Sequence, residues 1–266
     1  INVTGTYNII KACKEAGVKY IIQTSTAHVT VPTTTQNTII EINETDPYVS
    51  YQTATSHYGI TKALAEQIVL SANQSSMKTV SIRPFGIFGA YDSLVLQDML
   101  QNMQYMFLGF SMLLDWEYVD NVAYAHLLAE AKLREPVVDE SLRVDGKAFL
   151  LTDNKAMYNN DFRSMIIHYC PSIKAIAGPP RLIWVLAYII EALQRIFTHR
   201  FPKLDPPLSY LTPTALRIMD MDMRVNSTRA KDVLGYSPVF TVEEGIQLSI
   251  MEYMDNTQNV FHTGET

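Results

Sequence analysis

Cysteine is nearly absent: the 266-residue chain has only Cys13 and Cys170. Two thiols cannot build a disulfide framework, so a reducing compartment is the default and both read as small buried hydrophobes. The six histidines, His28, His57, His126, His168, His199 and His262, fall into no His-Glu-x-x-His or Cys/His spacing, and no metal site is expected. Positive charge is also short, with 21 Lys and Arg against 27 Asp and Glu and a formal net charge of -6. That balance argues against nucleic acid, which calls for a basic face. The apolar run from Leu182 to Ile190 stops at Glu191 after nine residues, short of the roughly 20 that span a bilayer. Glycine is missing where a dinucleotide would need it. Neither G-x-x-G-x-x-G nor G-x-G-x-x-G occurs, and with them goes the turn whose backbone N–H groups cradle a pyrophosphate. There are no repeats or low-complexity tracts, and the length suits one large α/β domain or one domain with an appended lobe.

What is present starts with Tyr58-Gly59-Ile60-Thr61-Lys62, a phenol and an ammonium one helical turn apart, downstream of the hydroxyl cluster Thr24-Ser25-Thr26. Residues four apart share a helix face, so the Lys62 charge can favour phenolate at Tyr58 and lower a pKa that starts at about 10. A phenol tuned in this way serves as acid or base near neutral pH. Spacing alone is weak, because Tyr7-Asn8-Ile9-Ile10-Lys11 repeats it. That copy precedes the first apolar strand and follows no hydroxyl cluster, so it reads as an ordinary amphipathic helix burying Ile9, Cys13 and Ala16 and stopping at Gly17. Context separates the two. Lys19-Tyr20-Ile21-Ile22 has the character of a buried parallel strand and ends in Gln23-Thr24-Ser25-Thr26-Ala27. The helix carrying Tyr58 and Lys62 repeats apolar residues at Ile60, Leu64 and Ile68, and a second strand, Thr79-Val80-Ser81-Ile82, runs into Arg83-Pro84-Phe85-Gly86-Ile87-Phe88-Gly89. Together they make one βαβ unit whose polar groups gather at the carboxyl ends of its strands, where ligands of open α/β sheets bind.

In this order the residues resemble the extended short-chain dehydrogenase/reductases. The signals are Asn2-Val3-Thr4-Gly5-Thr6 opening a helix, Thr24-Ser25-Thr26-Ala27, Tyr58 with Lys62, Arg83-Pro84 with Gly86 and Gly89, and Tyr118-Val119-Asp120-Asn121-Val122-Ala123. Within that group the chain is most similar to the 3β-hydroxysteroid dehydrogenase/isomerase family, which includes the sterol 4α-carboxylate 3-dehydrogenases. Ala125-His126, Gly146 through Asp153, and Asn226-Ser227-Thr228-Arg229-Ala230-Lys231 leading to Leu234-Gly235-Tyr236-Ser237-Pro238 carry that closer likeness. The resemblance implies an α/β fold, a Rossmann-like doubly wound parallel sheet whose N-terminal strands are missing, with a mostly helical C-terminal substrate lobe. It places roughly 80 to 100 residues ahead of Asn2, at about 30 per βαβ unit. It further implies NAD or NADP, NAD being preferred. Tyr58 becomes the general acid/base, Lys62 its partner and a ribose contact, Thr26 the hydroxyl that orients the reacting oxygen, and Asn2 the support of a proton relay. Ser25 is the second candidate for the Thr26 role. The cofactor would touch Thr24, Ser25, Tyr58, Lys62, Pro84, Phe85 and Ile87. Asp120 and Asn121 would fix their loop.

The chain is expected to divide near Tyr91, with the catalytic end of a dinucleotide-binding domain over residues 1–90 and a substrate lobe over 91–266, partly interleaved with the sheet. After Tyr91 the pattern is mostly helical. From Gln97 to Leu114 it is rich in Met and Leu, including Met99, Met103, Met106 and Met112, which suit either core or the wall of an apolar pocket. A short helix begins at Asn226-Ser227 and ends at Gly235, and the capping-box spacing of Thr241 and Glu244 opens the last helix, through Ile246, Ile250 and Tyr253. The apolar helix around Leu182 to Ile190 is either buried over the lobe or laid on a membrane surface. Arg181 before it and Arg195, His199 and Arg200 after it suit the surface. By resemblance the substrate is a small apolar sterol or steroid oxidised at a 3β-hydroxyl, with decarboxylation or double-bond isomerisation as extensions. An NDP-sugar epimerase or dehydratase would share Tyr58, Lys62 and the Thr26 slot. A catalytically silent binding protein of the same fold is the reading from another class. The expected place is the cytoplasmic face of the endoplasmic reticulum or another internal membrane, with peripheral contact through 181–197, or otherwise the cytoplasm. A homodimer is compatible with this picture.

Overall fold

Helix α1 (Asn2–Glu15) ends before Gly17, whose left-handed φ of +69° costs nothing without a Cβ. Its buried stripe is rotated from the expected one: Ile10 is buried and Cys13 partly so, whereas Ile9 and Ala16 are exposed. One face of the helix packs on a neighbouring helix, and the i, i+3 pair Ile10 and Cys13 suffices for that seam. Strand β1 (Tyr20–Thr24) leads to a 3-10 turn (Ala27–Val29) and the short strand β2 (Ile40–Ile42). Helix α2 (His57–Ser71), strand β3 (Lys78–Arg83) and strand β4 (Gly86–Phe88) follow. Then come β5 (Tyr105–Leu108), β6 (Leu113–Tyr118), α3 (Val119–Arg134), β7 (Lys147–Leu150), β8 (Ala156–Tyr158) and α4 (Asn159–Tyr169). The rest is β9 (Lys174–Ala177), α5 (Pro180–Phe197), β10 (Met223–Val225), a π-helical turn (Ala230–Leu234) and α6 (Val242–His262). This computed structural model describes residues 1–30, 40–52, 57–92, 105–108, 112–171, 173–177, 180–197, 213, 216 and 222–262.

The sheet that positions the site runs β1-β3-β7, parallel throughout, with Ile22 opposite Val80 and Ile82 opposite Phe149. Strand side chains alternate between faces, and β3 shows what each face packs against. Val80 and Ile82 join Val122, Ala125, Ala129 and Leu133 of α3, together with Phe149 and Tyr236. The other face of the sheet meets α1 and α2, where Ile21 packs with Ile10, Val69, Ala72 and Met77. Helices on both faces of a parallel sheet make it doubly wound. Within α2, Ile60, Ala63, Ala65 and Val69 are buried; Leu64, expected on that stripe, is exposed.

A second core joins β4, β6, α4 and α6 through Phe88, Trp116, Tyr118, Phe162, Ile166, Ile246 and Ile250. The described part of the methionine-rich stretch is strand. Met106 lies in β5 and Met112 is buried next to β6, while Met99 and Met103 lie outside the described residues. The capping box forms: Glu244 N–H donates to Thr241 Oγ1 at 3.2 Å, and Thr241 N–H to the Glu244 carboxylate at 2.8 Å. Gly235, at φ +70°, closes the π-helical turn. Among the described residues no helix is long and apolar enough to cross a membrane.

Candidate active site

Three elements bring the sequence's candidate residues to one edge of the sheet. Strand β1 delivers Thr24, Ser25 and Thr26 at its carboxyl end, helix α2 delivers Tyr58 and Lys62, and the segment after β3 delivers Pro84 and Phe85 in its loop and Ile87 in β4. The end of β1 stays registered on β3 beyond the regular ladder, because Ser25 N–H donates to Ile82 O at 2.7 Å and Ala27 N–H to Pro84 O at 2.9 Å. Thr24 is exposed and pairs through Oγ1 with His126 Nε2 at 2.8 Å, whereas Ser25 and Thr26 are buried.

Ser25 and Thr26 point to different neighbours. The Ser25 hydroxyl lies toward Glu66 of α2, whose pKa it lowers. Thr26 instead lies close enough to the Tyr58 hydroxyl to lower its pKa and sits 3.0 Å from His28 Nδ1. Of the two candidates for the orienting hydroxyl, Thr26 is the one beside the phenol. Tyr58 is 53% exposed, so it is open to a ligand from one side.

Lys62 takes a different posture from the one its spacing suggested. Its Nζ donates to the Thr24 carbonyl at 2.9 Å. Burial is the main influence on Tyr58 and raises its pKa, with the nearby Thr26 hydroxyl pulling down. The expected depression by Lys62 is not a property of this arrangement, since the ammonium is turned to the strand end. Burial lowers the Lys62 pKa, and Glu66 one turn further along α2 opposes that shift. Asn2 reaches α2 as well, but at Thr61 Oγ1, 3.0 Å from its Nδ2.

Behind this edge lies a buried ion pair that sequence reading missed. Arg83 Nε donates to both Glu66 carboxylate oxygens at 3.0 Å and Arg83 Nη2 pairs with the same group, with both side chains almost fully buried. Ser81 Oγ, at 2.7 Å, and the Tyr48 hydroxyl, at 2.8 Å, complete the carboxylate's partners. Against the opposing effect of burial, the Arg83 guanidinium and the Ser81 hydroxyl keep the Glu66 carboxyl below the usual carboxylate range. Glu66 four residues after Lys62, with Ser81 and Arg83 alternating on one strand face, was the available signal.

The loop is anchored from below. Glu117, fully buried on β6, accepts the Phe85 N–H at 3.0 Å and 3.1 Å through its two oxygens. Burial and the nearby Asp153 push its pKa well up. Gly86 is required by close approach: a Cβ there would lie 3.0 Å from the Asp115 carbonyl. His28 stacks on the Phe85 ring with centroids 4.9 Å apart. No group of His, Cys, Asp and Glu suited to a metal occurs among the described residues.

Residues 1–173 match the model of the 3-beta hydroxysteroid dehydrogenase/isomerase family. The chain belongs to that family. It is 32% identical to the decarboxylating sterol-4-alpha-carboxylate 3-dehydrogenase erg26 of Schizosaccharomyces pombe, over 94% of this chain and 71% of that protein. It is 31% identical to 3beta-hydroxysteroid-dehydrogenase/decarboxylase isoform 1 of Arabidopsis thaliana, over 94% of this chain and 56% of that protein. It thus spans about half the length of that relative. Among solved structures it is similar to gox2253, with a TM-score of 0.68 and 23% identity over 96% of this chain and 72% of that one. It is also similar to the UDP-glucose 4-epimerase of Thermotoga maritima, with a TM-score of 0.64 and 19% identity over 97% and 70%. These likenesses show the shared Rossmann-like fold.

Proposed function

We propose that this family member, in the intact protein, oxidises the 3β-hydroxyl of an apolar sterol or steroid to the ketone with NAD(P), NAD preferred. The observation that carries the reading is the meeting of Tyr58, Thr26 and Lys62 at the carboxyl edge of β1 and β3, in a chain whose relatives include sterol-4-alpha-carboxylate 3-dehydrogenases. The residues fit the nicotinamide end of such a cofactor. Lys62 and the exposed Thr24 offer polar contacts to its ribose, and the partly buried Phe85 and Ile87 offer an apolar wall, with Pro84 itself buried. When bound there, the nicotinamide supplies the hydride acceptor.

In this scheme Tyr58 takes the proton of the substrate hydroxyl as the C3 hydrogen leaves with its electron pair. Thr26 donates to the same oxygen and holds it beside the phenol. Lys62 supplies positive charge to the edge, and Asn2 secures the α1–α2 seam through Thr61. Where the substrate carries a 4-carboxyl, the product is a β-keto acid, which loses CO2. Residues 1–90 form the catalytic end of the dinucleotide-binding part and 91–266 the substrate lobe. The test is Tyr58→Phe in the intact protein, assayed with a 3β-hydroxy-4α-carboxysterol and NAD. Turnover should fall about 10²- to 10⁴-fold with cofactor affinity nearly kept. A variant with more than half the original kcat sinks the assignment.

The exposed face of α5 supports peripheral contact with an internal membrane. Leu182, Val185, Leu186, Ile189 and Leu193 are all exposed and recur at helical spacing, while Ala187 and Ile190 are buried against the protein. A surface-bound helix has this form. Replacing Leu182, Leu186 and Ile189 by Ser should release the intact protein from sedimenting membranes and leave activity on detergent-dispersed sterol. Unchanged sedimentation would remove α5 from that role.

A further inference from the structure

His28 stands two residues past Thr26, and its ring is fixed on three sides. Nδ1 lies 3.0 Å from Thr26 Oγ1. The ring stacks on Phe85 at 16° between planes and meets the Tyr58 ring edge-on, with centroids 6.4 Å apart. Thr26 is the N-cap of the Ala27–Val29 turn, with extended backbone angles φ -159° and ψ 151°. That geometry also brings the His28 backbone N–H to 3.3 Å from the same Thr26 Oγ1.

A threonine hydroxyl has one proton and two lone pairs. If His28 Nδ1 were bare, Thr26 would have to donate its only proton to the imidazole, and could offer the phenol or a substrate oxygen nothing but lone pairs. If Nδ1 carries the hydrogen, the imidazole and the His28 backbone N–H occupy both lone pairs of Oγ1. The hydroxyl proton is then left to point at Tyr58 Oη or the substrate oxygen beside it. Burial lowers the His28 pKa, so one ring proton is present near neutral pH.

We propose that His28 is a positioning residue: as its Nδ1–H tautomer it donates to Thr26 Oγ1 and thereby aims the Thr26 proton at the reacting oxygen. The proposal rests on the dehydrogenase reading above.

The direct test is proton–nitrogen NMR of the imidazoles in the intact protein with NAD bound, at neutral pH. His28 should be protonated on Nδ1 and bare on Nε2; the reverse overturns the proposal. The kinetic test compares His28→Leu, which keeps bulk against Phe85 but removes the donor, with His28→Asn, whose amide nitrogen can stand near Nδ1. For the 3β-hydroxy-4α-carboxysterol, kcat should fall about 10-fold in His28→Leu while KM stays within about 2-fold. His28→Asn should recover most of the loss. In a Thr26→Val background His28→Leu should cost nothing further, because its effect passes through Thr26; equal losses in both backgrounds overturn the proposal. If His28→Leu fails to fold, the tautomer and the His28→Asn pair decide. Tyr58→Phe separates the two failures. An active Tyr58→Phe defeats the dehydrogenase reading, whereas an inactive one beside uncoupled His28 and Thr26 defeats the His28 inference alone.

Discussion

At the scale of single residues, the site consists of side chains whose ordinary chemistry is shifted by what they touch. Tyr58 is pushed up by burial and Lys62 is pulled down by burial, so both lose part of their charged form. In the proposed oxidation Tyr58 accepts a proton, and the rate should therefore rise with pH through the alkaline range. Because the Lys62 ammonium is turned to the Thr24 carbonyl rather than to the phenol, Lys62→Met should leave that rising limb where it is. The same change removes a donor from the cofactor edge and should weaken NAD affinity. Steady-state profiles and calorimetry on the intact protein check both expectations. Unchanged affinity would place Lys62 outside the machinery.

At the scale of elements, the site depends on how closely α2 sits on the 3-10 turn after β1. Gly59, between Tyr58 and Ile60, is the contact point: a Cβ there would lie 2.9 Å from the His28 carbonyl, a backbone atom that cannot swing aside. Gly59→Ala should lift the start of α2 off the turn and separate Tyr58 from Thr26. Misplacing catalytic groups by about 1 Å can cost 10²-fold, so kcat should fall at least about 10-fold while far-ultraviolet circular dichroism is retained. A fully active Gly59→Ala would show that the seam has slack. Elements of this kind were legible because their signals are local. A strand ending in hydroxyls, a helix with Tyr58 and Lys62, and a Pro/Gly loop each announce themselves within a few residues, and the Thr241–Glu244 cap is local too. What stayed hidden depends on pairing between distant segments. Arg83 with Glu66, Glu117 with the Phe85 N–H, and Thr24 with His126 exist only once β3, β6 and α3 are assembled. Strand β5 and the start of β6 were obscured by a run of Met and Leu without alternation. The rotation of α1 was obscured because Ile9, Ile10, Cys13 and Ala16 allow more than one stripe.

At the scale of the whole molecule, the second core encloses acidic groups that titrate together. Asp115, Glu117 and Asp153 are all buried, and the Tyr236 hydroxyl donates to Asp153 at 3.2 Å. Burial raises Asp153 to about 6 and pushes Asp115 and Glu117 up as well. Between an unfolded value of about 3.9 and the native value, the native state holds more protons than the unfolded chain. Stability from this group is therefore complete below the lower value and is lost as pH rises through the upper one. For Asp153 the difference corresponds to about 3 kcal/mol, shared with its neighbours because the sites are coupled. Glu66 acts the other way, since its pKa is lowered and its contribution disappears in acid. His28, kept neutral by burial, also costs stability as it becomes charged. The two limbs predict a thermal midpoint that rises as pH falls through about 6, where Asp153 takes up its proton, and collapses in stronger acid, below the ordinary carboxylate range, as Glu66 is protonated. Asp153→Asn and Glu117→Gln should flatten the upper limb, each being neutral at every pH, and leave the acid collapse in place. Melting curves across pH for the wild type and the two variants decide the matter. Parallel slopes in all three would mean that the buried carboxyls do not set the pH dependence of folding.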